Sequence, residues 1–454
     1  MKGWIKRLFF LLLTITGAHA QAFSQDGNPL QFISGVSQSS FANPANQNET
    51  DKLVVGLPII SGAWMDWKAN FSLNYIFFQN FSYSFDRFYR ELGEPGYELG
   101  TVTVPFVYLS LKLEDQNFTF SVSNRIFTES TFDHEFLKFI DNGLEPYYGK
   151  TEVYGPMNIR AFHYRELAFG WSKQIWEGFQ VGVRPKFLFG RFDYDMKEMN
   201  ISVQTDVANG QLLLVPSGDY RVAGSLDVSY NPELDATSIR PNPDISNYFF
   251  NFRNPGAGID LGINYQINKT TLSAAITDLG FLQFRHTNYD VTYANPLRYN
   301  LDELYQSTNP DGEVYKEPKI ALQELIDSIP YTIIAQPGAS QVVEAIPTNI
   351  NIKFTYSISQ EKEAGLSGQL TYFKGNTRNF ISGFFHTALG EKFNLAASVS
   401  LFDFKKILPG VGASYTTNRS QFYLSTNNIT ALIKPSSAKY LNLCFGVNFL
   451  FSTH

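Results

Sequence analysis

The chain has one cysteine, few charged residues and no apolar run long enough to cross a membrane as a helix. Because Cys444 stands alone among 454 residues, an intrachain disulfide and a thiolate metal cluster are excluded. Charged residues make up only 17% of the chain, the net charge is −6 and no basic cluster occurs, which argues against nucleic acid as a partner. The mean hydropathy of −0.16 excludes a helical membrane protein.

Aromatic residues, by contrast, are abundant. The chain contains 41 phenylalanines and 25 tyrosines, and Phe, Tyr and Trp together make up 16% of it. Such enrichment is typical of the two aromatic girdles that a transmembrane β-barrel places at the lipid–water interfaces. An aromatic-rich extracellular β-protein is the alternative that composition alone leaves open.

The N-terminus has the order of a secretion signal. Basic residues precede an apolar run over residues 8–17, and Ala18-His19-Ala20 supplies the small residues of a cleavage site. The apolar run is too short to span a bilayer. We therefore expect residues 1–20 to be a signal peptide that is cleaved after Ala20, and the mature chain to be exported.

The clearest strand signal is residues 257–267, where apolar side chains alternate with small or polar ones. Side chains alternate across a strand, so one face of this segment is apolar and the other can line a polar lumen. Residues 268–269 then form a tight turn into residues 271–277, which predicts an antiparallel hairpin. The predicted lumen-facing polar residues of this strand are Asp260, Asn264 and Gln266.

The same alternation recurs to the end of the chain in segments of about ten residues, the length that a tilted strand needs to cross the apolar layer. We predict an all-β fold, a transmembrane antiparallel β-barrel of 14 strands within residues 68–451. The count becomes 16 if two strand-like pieces within residues 194–255 enter the membrane. The predicted barrel strands are 68–78, 105–113, 116–127, 160–175, 179–193, 256–267, 270–284, 348–359, 363–374, 379–389, 392–404, 409–417, 420–428 and 439–451.

Residues 21–67 precede the predicted barrel and are expected to form an N-terminal plug or a periplasmic segment. They begin with a polar stretch, within which Asn43-Pro44-Ala45 is the predicted plug motif. Pro58 interrupts a short apolar run, which predicts an edge or a non-membrane segment because proline cannot donate to a strand ladder.

The lengths of the connections agree with the direction in which each predicted strand runs, counted back from the C-terminus. The connections at 268–269, 360–362, 390–391 and 418–419 are short and fall on one side of the predicted barrel. Bacterial barrels have short periplasmic turns and longer outer loops. We therefore place the C-terminus in the periplasm and expect extracellular loops on the other side. The largest of these loops are residues 194–255 and 285–347.

A helix is predicted within the second of these loops. Apolar residues recur at helical spacing between Pro318, which opens the helix, and Pro330, which ends it. Its apolar stripe would cap the barrel mouth, bind a partner or pack on its own loop.

The last strand carries a predicted assembly signal. Phe449 and Phe451 share an apolar face, whereas Cys444 and Gly446 lie on the inner face, where Cys444 is a small filler. The pattern formed by Gly446, Phe449 and Phe451 resembles the C-terminal signal that outer-membrane barrels present to the barrel-assembly machinery. Physically, such a signal is an edge strand that can be added to another sheet until the barrel closes.

A family resemblance rests on five stretches, which are Asn43-Pro44-Ala45 and residues 55–60, 256–262, 275–281 and 425–429. In this order they resemble a family of outer-membrane barrel proteins of unknown function from Bacteroidota, over nearly the whole mature chain. The Asn-Pro-Ala element and the strand count are also similar to the long-chain fatty-acid transporter superfamily, which includes a barrel serving type IX secretion. That resemblance implies a 14-stranded barrel plugged by its N-terminal segment.

The sequence shows no catalytic or metal-binding constellation. His134 lies between two acidic residues but has no second ligand at metal spacing. His386 and Ser382 share a strand face, yet a rise of about 3.3 Å per residue keeps them too far apart for a hydrogen bond. We therefore expect no enzyme, no metal and no cofactor. Asp260 and Asp278, both in Asp-Leu-Gly settings, either bond the plug and neighbouring strands or contact substrate, and the first role is favoured.

Two functions remain open for a barrel in the outer membrane of a Gram-negative cell. In the favoured one, it binds or passes small hydrophobic or amphipathic molecules past an N-terminal plug. In the other, it is a non-enzymatic subunit or docking platform of an outer-membrane secretion or assembly complex. A transporter requires an apolar route past residues 41–45, whereas a platform would have a filled lumen. The predicted partners are outer-membrane lipid, the barrel-assembly machinery during insertion, and either a hydrophobic small molecule or an outer-membrane protein complex.

Overall fold

The structure is a computed structural model and describes most of the predicted barrel. The expected signal peptide, residues 73–78 of the predicted first strand and the predicted helix between Pro318 and Pro330 lie outside the described residues. Those predictions therefore stay predictions. The described residues are 29–47, 52–72, 91–142, 149–206, 208–231, 236–241, 252–285, 288–293, 296–300, 333–374 and 376–452.

Strands dominate the described ranges, which contain only two short α-helices, α1 (His134–Asn142) and α2 (Ile429–Ile433). None of the helices described is long and apolar enough to cross a membrane. The strands are β1 (Lys52–Gly56), β2 (Ala63–Ala69), β3 (Gly96–Leu113), β4 (Gln116–Phe132), β5 (Thr151–Trp176), β6 (Phe179–Asp206), β7 (Gln211–Gly224), β8 (Leu226–Asn231), β9 (Ala236–Pro241), β10 (Pro255–Ile267), β11 (Thr270–Phe284), β12 (Asn288–Tyr293), β13 (Leu297–Asn300), β14 (Ile333–Pro337), β15 (Val342–Ala345), β16 (Thr348–Ser357), β17 (Lys362–Phe373), β18 (Asn376–Leu389), β19 (Phe393–Phe402), β20 (Lys406–Thr416), β21 (Ser420–Thr426) and β22 (Tyr440–Ser452).

Antiparallel pairing closes 14 strands into a ring, which confirms the predicted fold and the favoured strand count. β1 and β2 together form the first strand, and both pair with β22 on one side and β3 on the other. The ring continues through β4, β5, β6, β10 and β11, and then through β16 to β22 in chain order. Because closure leaves no free sheet edge, every wall strand finds a partner on both sides.

The predicted start of the barrel was wrong. The first strand begins at Lys52 and not at Lys68, so the run around Pro58 belongs to the wall and not to an N-terminal segment. Proline does interrupt the ladder, because residues 57–62 form a turn with Ile59 at a φ of 71°. The chain stays attached through this turn, since the Leu57 amide donates to the Val447 carbonyl at 2.9 Å. One strand is therefore split into two.

The two ends of the barrel differ in the length of their connections. The hairpins β3–β4, β5–β6, β10–β11, β16–β17, β18–β19 and β20–β21 all turn at one end, which we call the short-turn end. The start of β1 and the end of β22 lie there too, because Lys52 pairs with Ser452. The short turns therefore lie together at one end, in agreement with the predicted directions of the strands. We call the opposite end, where the longer connections lie, the open end. That the open end faces the cell exterior stays a prediction.

Long strands extend beyond the ring at the open end. β5 and β6 have 26 and 28 residues. β6 pairs with β10 only as far as Phe189, and from Phe192 onward it pairs with β7. β7 in turn pairs with β12 and β13, and β12 pairs with β14. β7, β12, β13 and β14 therefore extend the sheet beyond the ring, whereas β8 and β9 pair with each other in a separate two-stranded sheet. None of these strands adds to the ring.

The barrel wall has an apolar outer surface, whereas its buried polar residues face inward. Outward-facing Ile352 and Leu366 are each 61% exposed, whereas inward-facing Asp260, Ser382 and Asn442 are fully buried. This is the alternation that the sequence predicts for residues 257–267 and for the last strand. A soluble barrel would have the opposite arrangement, because its apolar residues would fill the interior.

Candidate binding site in the barrel interior

Residues 29–47, the N-terminal segment, lie inside the ring against strands from many directions. The Gln38 side chain donates to Asn448 of β22 at 2.7 Å. The Phe32 ring stacks on Phe384 of β18 with centroids 4.9 Å apart. A side-chain amide of β21 and an ammonium group of β16 donate to backbone carbonyls of this segment at 2.8 and 3.0 Å. The segment therefore lies in the lumen, nearer the short-turn end.

The Asn43-Pro44-Ala45 motif docks on β10 and β6. Asn43 accepts a hydrogen bond from the Ala45 amide at 2.9 Å, which fixes a tight turn, and donates to Asn264 at 2.9 Å. Gly182 and Gly262 are paired on neighbouring strands directly under this turn. A Cβ on either glycine would overlap Asn43, Pro44 or Ala45. Both positions thus need glycine, because the turn packs directly on the backbone of the two strands.

Sequence reasoning missed the part played by these glycines, although a signal existed. Gly262 falls on the inward face of an alternating strand, where a missing side chain indicates close approach of another group. The predicted Asn264 does face the lumen and contacts the motif. The Gln266 side chain is exposed two residues nearer the short-turn end, and its predicted lumen-facing role stays a prediction.

Six charged side chains on β4, β5, β6, β10 and β11 form what we call the inner network. Each is at most 5% exposed, and acids and bases are equal in number. Lys186 contacts Asp260 at 2.7 Å and Asp278 at 2.5 Å. Glu166 contacts Arg125 at 3.1 Å and Arg184 at 3.0 Å. The members are Arg125, Glu166, Arg184, Lys186, Asp260 and Asp278.

A strand irregularity brings the two Asp-Leu-Gly copies together in this network. The β10–β11 register shifts between Ile259 and Leu261, and Asp278 opposite takes a φ of 60°. The Asp278 amide then donates to the Asp260 carboxylate at 2.7 Å. Both aspartates bond neighbouring strands, which agrees with the structural role favoured from sequence. Complete pairing is required at this depth, because an unpaired buried charge is strongly destabilising.

The N-terminal segment touches the inner network through an aromatic ring. The Arg184 guanidinium lies over the Phe41 ring, 4.7 Å from its centroid. Phe41 also contacts Tyr108 of β3 edge to face, with ring centroids 5.4 Å apart. A guanidinium stacked on a ring gains a cation–π attraction that strengthens away from water.

Beyond the inner network, toward the open end, the interior becomes apolar. Along β5 the inward positions run from Glu166 through Tyr164 and Phe162 to Arg160, so the charged and apolar groups form separate layers. At about 3.3 Å per residue, these six steps span roughly 20 Å. We call the buried cluster here the apolar layer. Its members are Leu99, Phe127, Phe162, Tyr164, Leu188, Ala223, Leu282, Phe284, Ile346 and Phe373.

A second set of ion pairs, the mouth network, lies on the open side of the apolar layer. Glu344 of β15 is at its centre, because it contacts Arg160 at 3.0 Å, Arg221 at 2.5 Å and Lys374 at 2.6 Å. These bonds join β5 and β7 to the turn between β17 and β18. The members are Arg160, Asp193, Asp195, Arg221, Glu344 and Lys374.

Two carboxyl groups of the mouth network have pKa values shifted in opposite directions. Burial, together with the negative charge of Glu344, raises the pKa of Asp193 to about 6. Burial also acts to raise the pKa of Asp195, but the cations Arg160 and Lys374 outweigh it and hold that pKa below its usual value. Asp193 is therefore the member of this pair that gains a proton under mildly acidic conditions.

The histidines form no catalytic group in the described part of the chain. His386 contacts Asn394 at 3.3 Å, whereas Ser382 contacts Ser400 at 2.7 Å. At the open end, ligand atoms of Glu94, His134 and Glu135 lie within 4.8 Å of one another. Sequence spacing could not reveal this group, because Glu94 comes from a distant segment. Both glutamates are exposed, and the absence of metal binding stays a prediction.

Residues 44–427 match the model of a family of unknown function, DUF5723. The chain belongs to this family. The matched range starts inside the Asn-Pro-Ala motif and contains all members of both networks and the apolar layer. Residues 1–43 and 428–454 of this DUF5723 chain lie outside the match, and they include most of the N-terminal segment and all of β22. The predicted origin from Bacteroidota is not tested.

Solved structures with a similar chain path include several bacterial barrels. A FadL homologue of Pseudomonas aeruginosa is 10% identical, with 96% of this chain and 98% of that chain covered and a TM-score of 0.43. The toluene transporter TodX of Pseudomonas putida is 11% identical, with 97% and 98% covered and a TM-score of 0.40. A monoaromatic hydrocarbon channel, CymD, is 10% identical, with 98% and 97% covered and a TM-score of 0.43. No curated protein matches the sequence.

Proposed function

We propose that this DUF5723 barrel lies in the outer membrane and binds small hydrophobic or amphipathic molecules in its lumen, through which they pass. The observation that carries the proposal is the apolar layer. Water-filled barrel pores have polar interiors. Here Phe162, Leu188 and Phe284 are buried and face inward between two layers of charge. An apolar interior of this kind favours an apolar ligand over ions or sugars.

The outer surface supports the membrane placement. Outward side chains such as Ile263, Leu272 and Ile352 are 44%, 46% and 61% exposed, which would be costly in water over a whole belt. Hydrocarbon is the solvent that this belt fits. The predicted signal peptide provides the route of export.

The N-terminal segment acts as the plug in this proposal. It closes the lumen on the short-turn side of the inner network. Hydrogen bonds from Asn43 to β10 and from Gln38 to β22 hold it there. A ligand that has reached the apolar layer can continue toward the short-turn end only when this segment moves. The segment, and not the wall, is therefore the part that controls passage.

A second function, a docking platform in an outer-membrane complex, is favoured by a different observation. The N-terminal segment and the inner network both lie in the lumen, which supports a platform because a platform needs no open route. β5, β6 and β7 project from the open end together with β12 and β14, and offer a surface to another protein. This function needs no passage through the barrel.

Binding of an apolar fluorescent probe to the purified barrel in detergent distinguishes the two functions. Phe284→Ala removes an aromatic ring of the apolar layer, whereas Phe281→Ala removes an outward ring on the same strand and is the matched control. The transport proposal expects weaker probe binding for Phe284→Ala only. If neither substitution alters binding and a partner protein co-purifies stoichiometrically through the projecting sheet, the platform is correct.

A further inference from the structure

The outer wall has a depression in the sector formed by β18 to β21. A groove of about 390 Å³ runs across these strands, lined almost entirely by apolar atoms. Its base lies at Ala397 and Ala413, which are exposed and face outward. Larger outward side chains surround them, since Phe385 pairs with Ala397 and Leu424 pairs with Ala413. The two alanines therefore leave a hollow in an otherwise bulky apolar belt.

A helix lies at the open-end side of this groove. β21 ends at Thr426, whereas its neighbours β20 and β22 continue toward the open end. α2 follows in this gap, held where Asn428 donates to the Tyr440 carbonyl at 2.7 Å. Ala431 of α2 is buried, and Leu432 lines the groove from above. The groove is thus a formed site with walls on several sides.

Basic residues lie next to the open end of the groove. Residues 403–406 and 434–439 together contain four lysines and one aspartate. Lys405 and Lys434 are exposed, and Lys434 directly follows α2. The start of β20 lies five residues from Val411, roughly 16 Å along the strand and about 12 Å along the barrel axis at the usual tilt of about 40°. The lysines therefore lie nearer the headgroup level than the groove does when the groove lies in hydrocarbon.

We propose that this groove binds one anionic, phosphate-bearing lipid of the membrane, with an acyl chain against Ala397 and Ala413 and the phosphate against Lys405 and Lys434. The volume falls within the range of roughly 300–1,000 Å³ that small-molecule sites occupy. Positive charge above an apolar groove matches the charge and shape of such a lipid. The inference rests on the membrane placement proposed above, but it is independent of any passage through the lumen.

Native mass spectrometry of the full barrel released from nanodiscs tests this site. The nanodiscs contain phosphatidylcholine with a minor fraction of phosphatidylglycerol, and the measured quantity is retained phosphatidylglycerol per barrel. The wild-type chain is expected to retain one molecule. Ala397→Leu with Ala413→Leu fills the groove and should abolish retention. Lys405→Gln and Lys434→Gln should each weaken retention roughly fivefold, because a lysine near an anionic headgroup contributes about that factor.

Matched controls come from elsewhere on the wall. Ala257→Leu enlarges an exposed outward alanine on β10, and Lys269→Gln removes an exposed lysine at the short-turn end. Both controls should retain phosphatidylglycerol like wild type. The proposal is overturned if the filled-groove variant retains the lipid equally, or if the controls lose as much as the test variants. A chain that does not enter nanodiscs at all contradicts the membrane placement, whereas one that enters and retains no lipid contradicts this site alone.

Discussion

The inner and mouth networks contain the same numbers of acids and bases but differ in how they are built. All members of the inner network lie on wall strands, and none is more than 5% exposed. In the mouth network, Glu344 lies in a long connection and Lys374 lies in a turn, where its side chain is 32% exposed. The inner network is therefore part of the fixed wall. The mouth network is a contact between separate segments that can open without unfolding the barrel.

Removing one cation from the inner network should have the largest effect. Lys186→Met leaves Asp260 and Asp278 buried without their shared partner, and breaking a buried pair in this way costs about 3–5 kcal/mol. Unfolding by urea in lipid vesicles, followed by tryptophan fluorescence, measures the loss. Lys269→Met, at an exposed turn, should stay within about 0.5 kcal/mol of wild type. An unchanged midpoint for Lys186→Met would show that these charges are not essential to the wall.

A larger side chain on the wall strand that the Asn-Pro-Ala turn contacts should release the N-terminal segment and leave the wall intact. Gly262→Ala places a Cβ where Asn43 lies, and such overpacking costs about 1–3 kcal/mol. Hydrogen exchange of residues 29–47 should accelerate, while that of the barrel strands does not. Gly368→Ala is the control, because nothing lies within 4 Å of its Cβ position. Equal protection in both variants would contradict the docking described here.

At mildly acidic pH, protonation of Asp193 should stabilise the contacts that β7 and β15 make in the mouth network. The reason is that folding raises the pKa of this carboxyl group from 3.8 to about 6. A carboxyl group whose pKa is higher in the folded state stabilises that state fully when the pH is below its pKa in the unfolded state. This stabilisation is lost as the pH rises through the pKa of the folded state. Between about pH 5 and pH 6, exchange protection of β7 and β15 should therefore fall as the pH rises. Asp193→Asn should remove that dependence. The lowered pKa values of Glu344 and Asp195 have the opposite effect, but they act only below this window.

Removing a cation from the mouth network should have the smallest effect on global stability. Lys374→Met breaks a partly exposed pair with Glu344, and such pairs contribute about 1 kcal/mol or less. The unfolding midpoint should barely move, but amides of β15 should exchange faster. A midpoint shift as large as that of Lys186→Met would mean that the two networks do not differ as described.

Much of the wall could be predicted from the sequence because strand alternation is local. Asp260 and Asn264 face inward and Phe449 and Phe451 face outward, as their positions in the period require. The 14-strand ring also followed from counting such segments. The first strand was missed because Pro58 hides one half of it, and only pairing with β22, at the far end of the chain, reveals that half as wall.

The site was less predictable because its contacts join distant segments. Asp260 was selected, but its partners Arg184 and Lys186 lie on another strand, and no spacing rule relates them to it. Glu344 lies on a short strand inside a long connection, where no periodic pattern indicates its position. The role of Gly182 depends on a turn that approaches it from the N-terminal segment. Each of these contacts is set by three-dimensional register and not by local pattern.

The central claim is that an apolar ligand binds between the two networks. Photolabelling with a small hydrophobic diazirine, followed by peptide mass spectrometry of the barrel in lipid vesicles, tests it most directly. The account predicts labels on Phe162, Leu188 and Phe284 that an excess of unlabelled ligand removes. Labels confined to the outward belt, with none in the apolar layer, would contradict it.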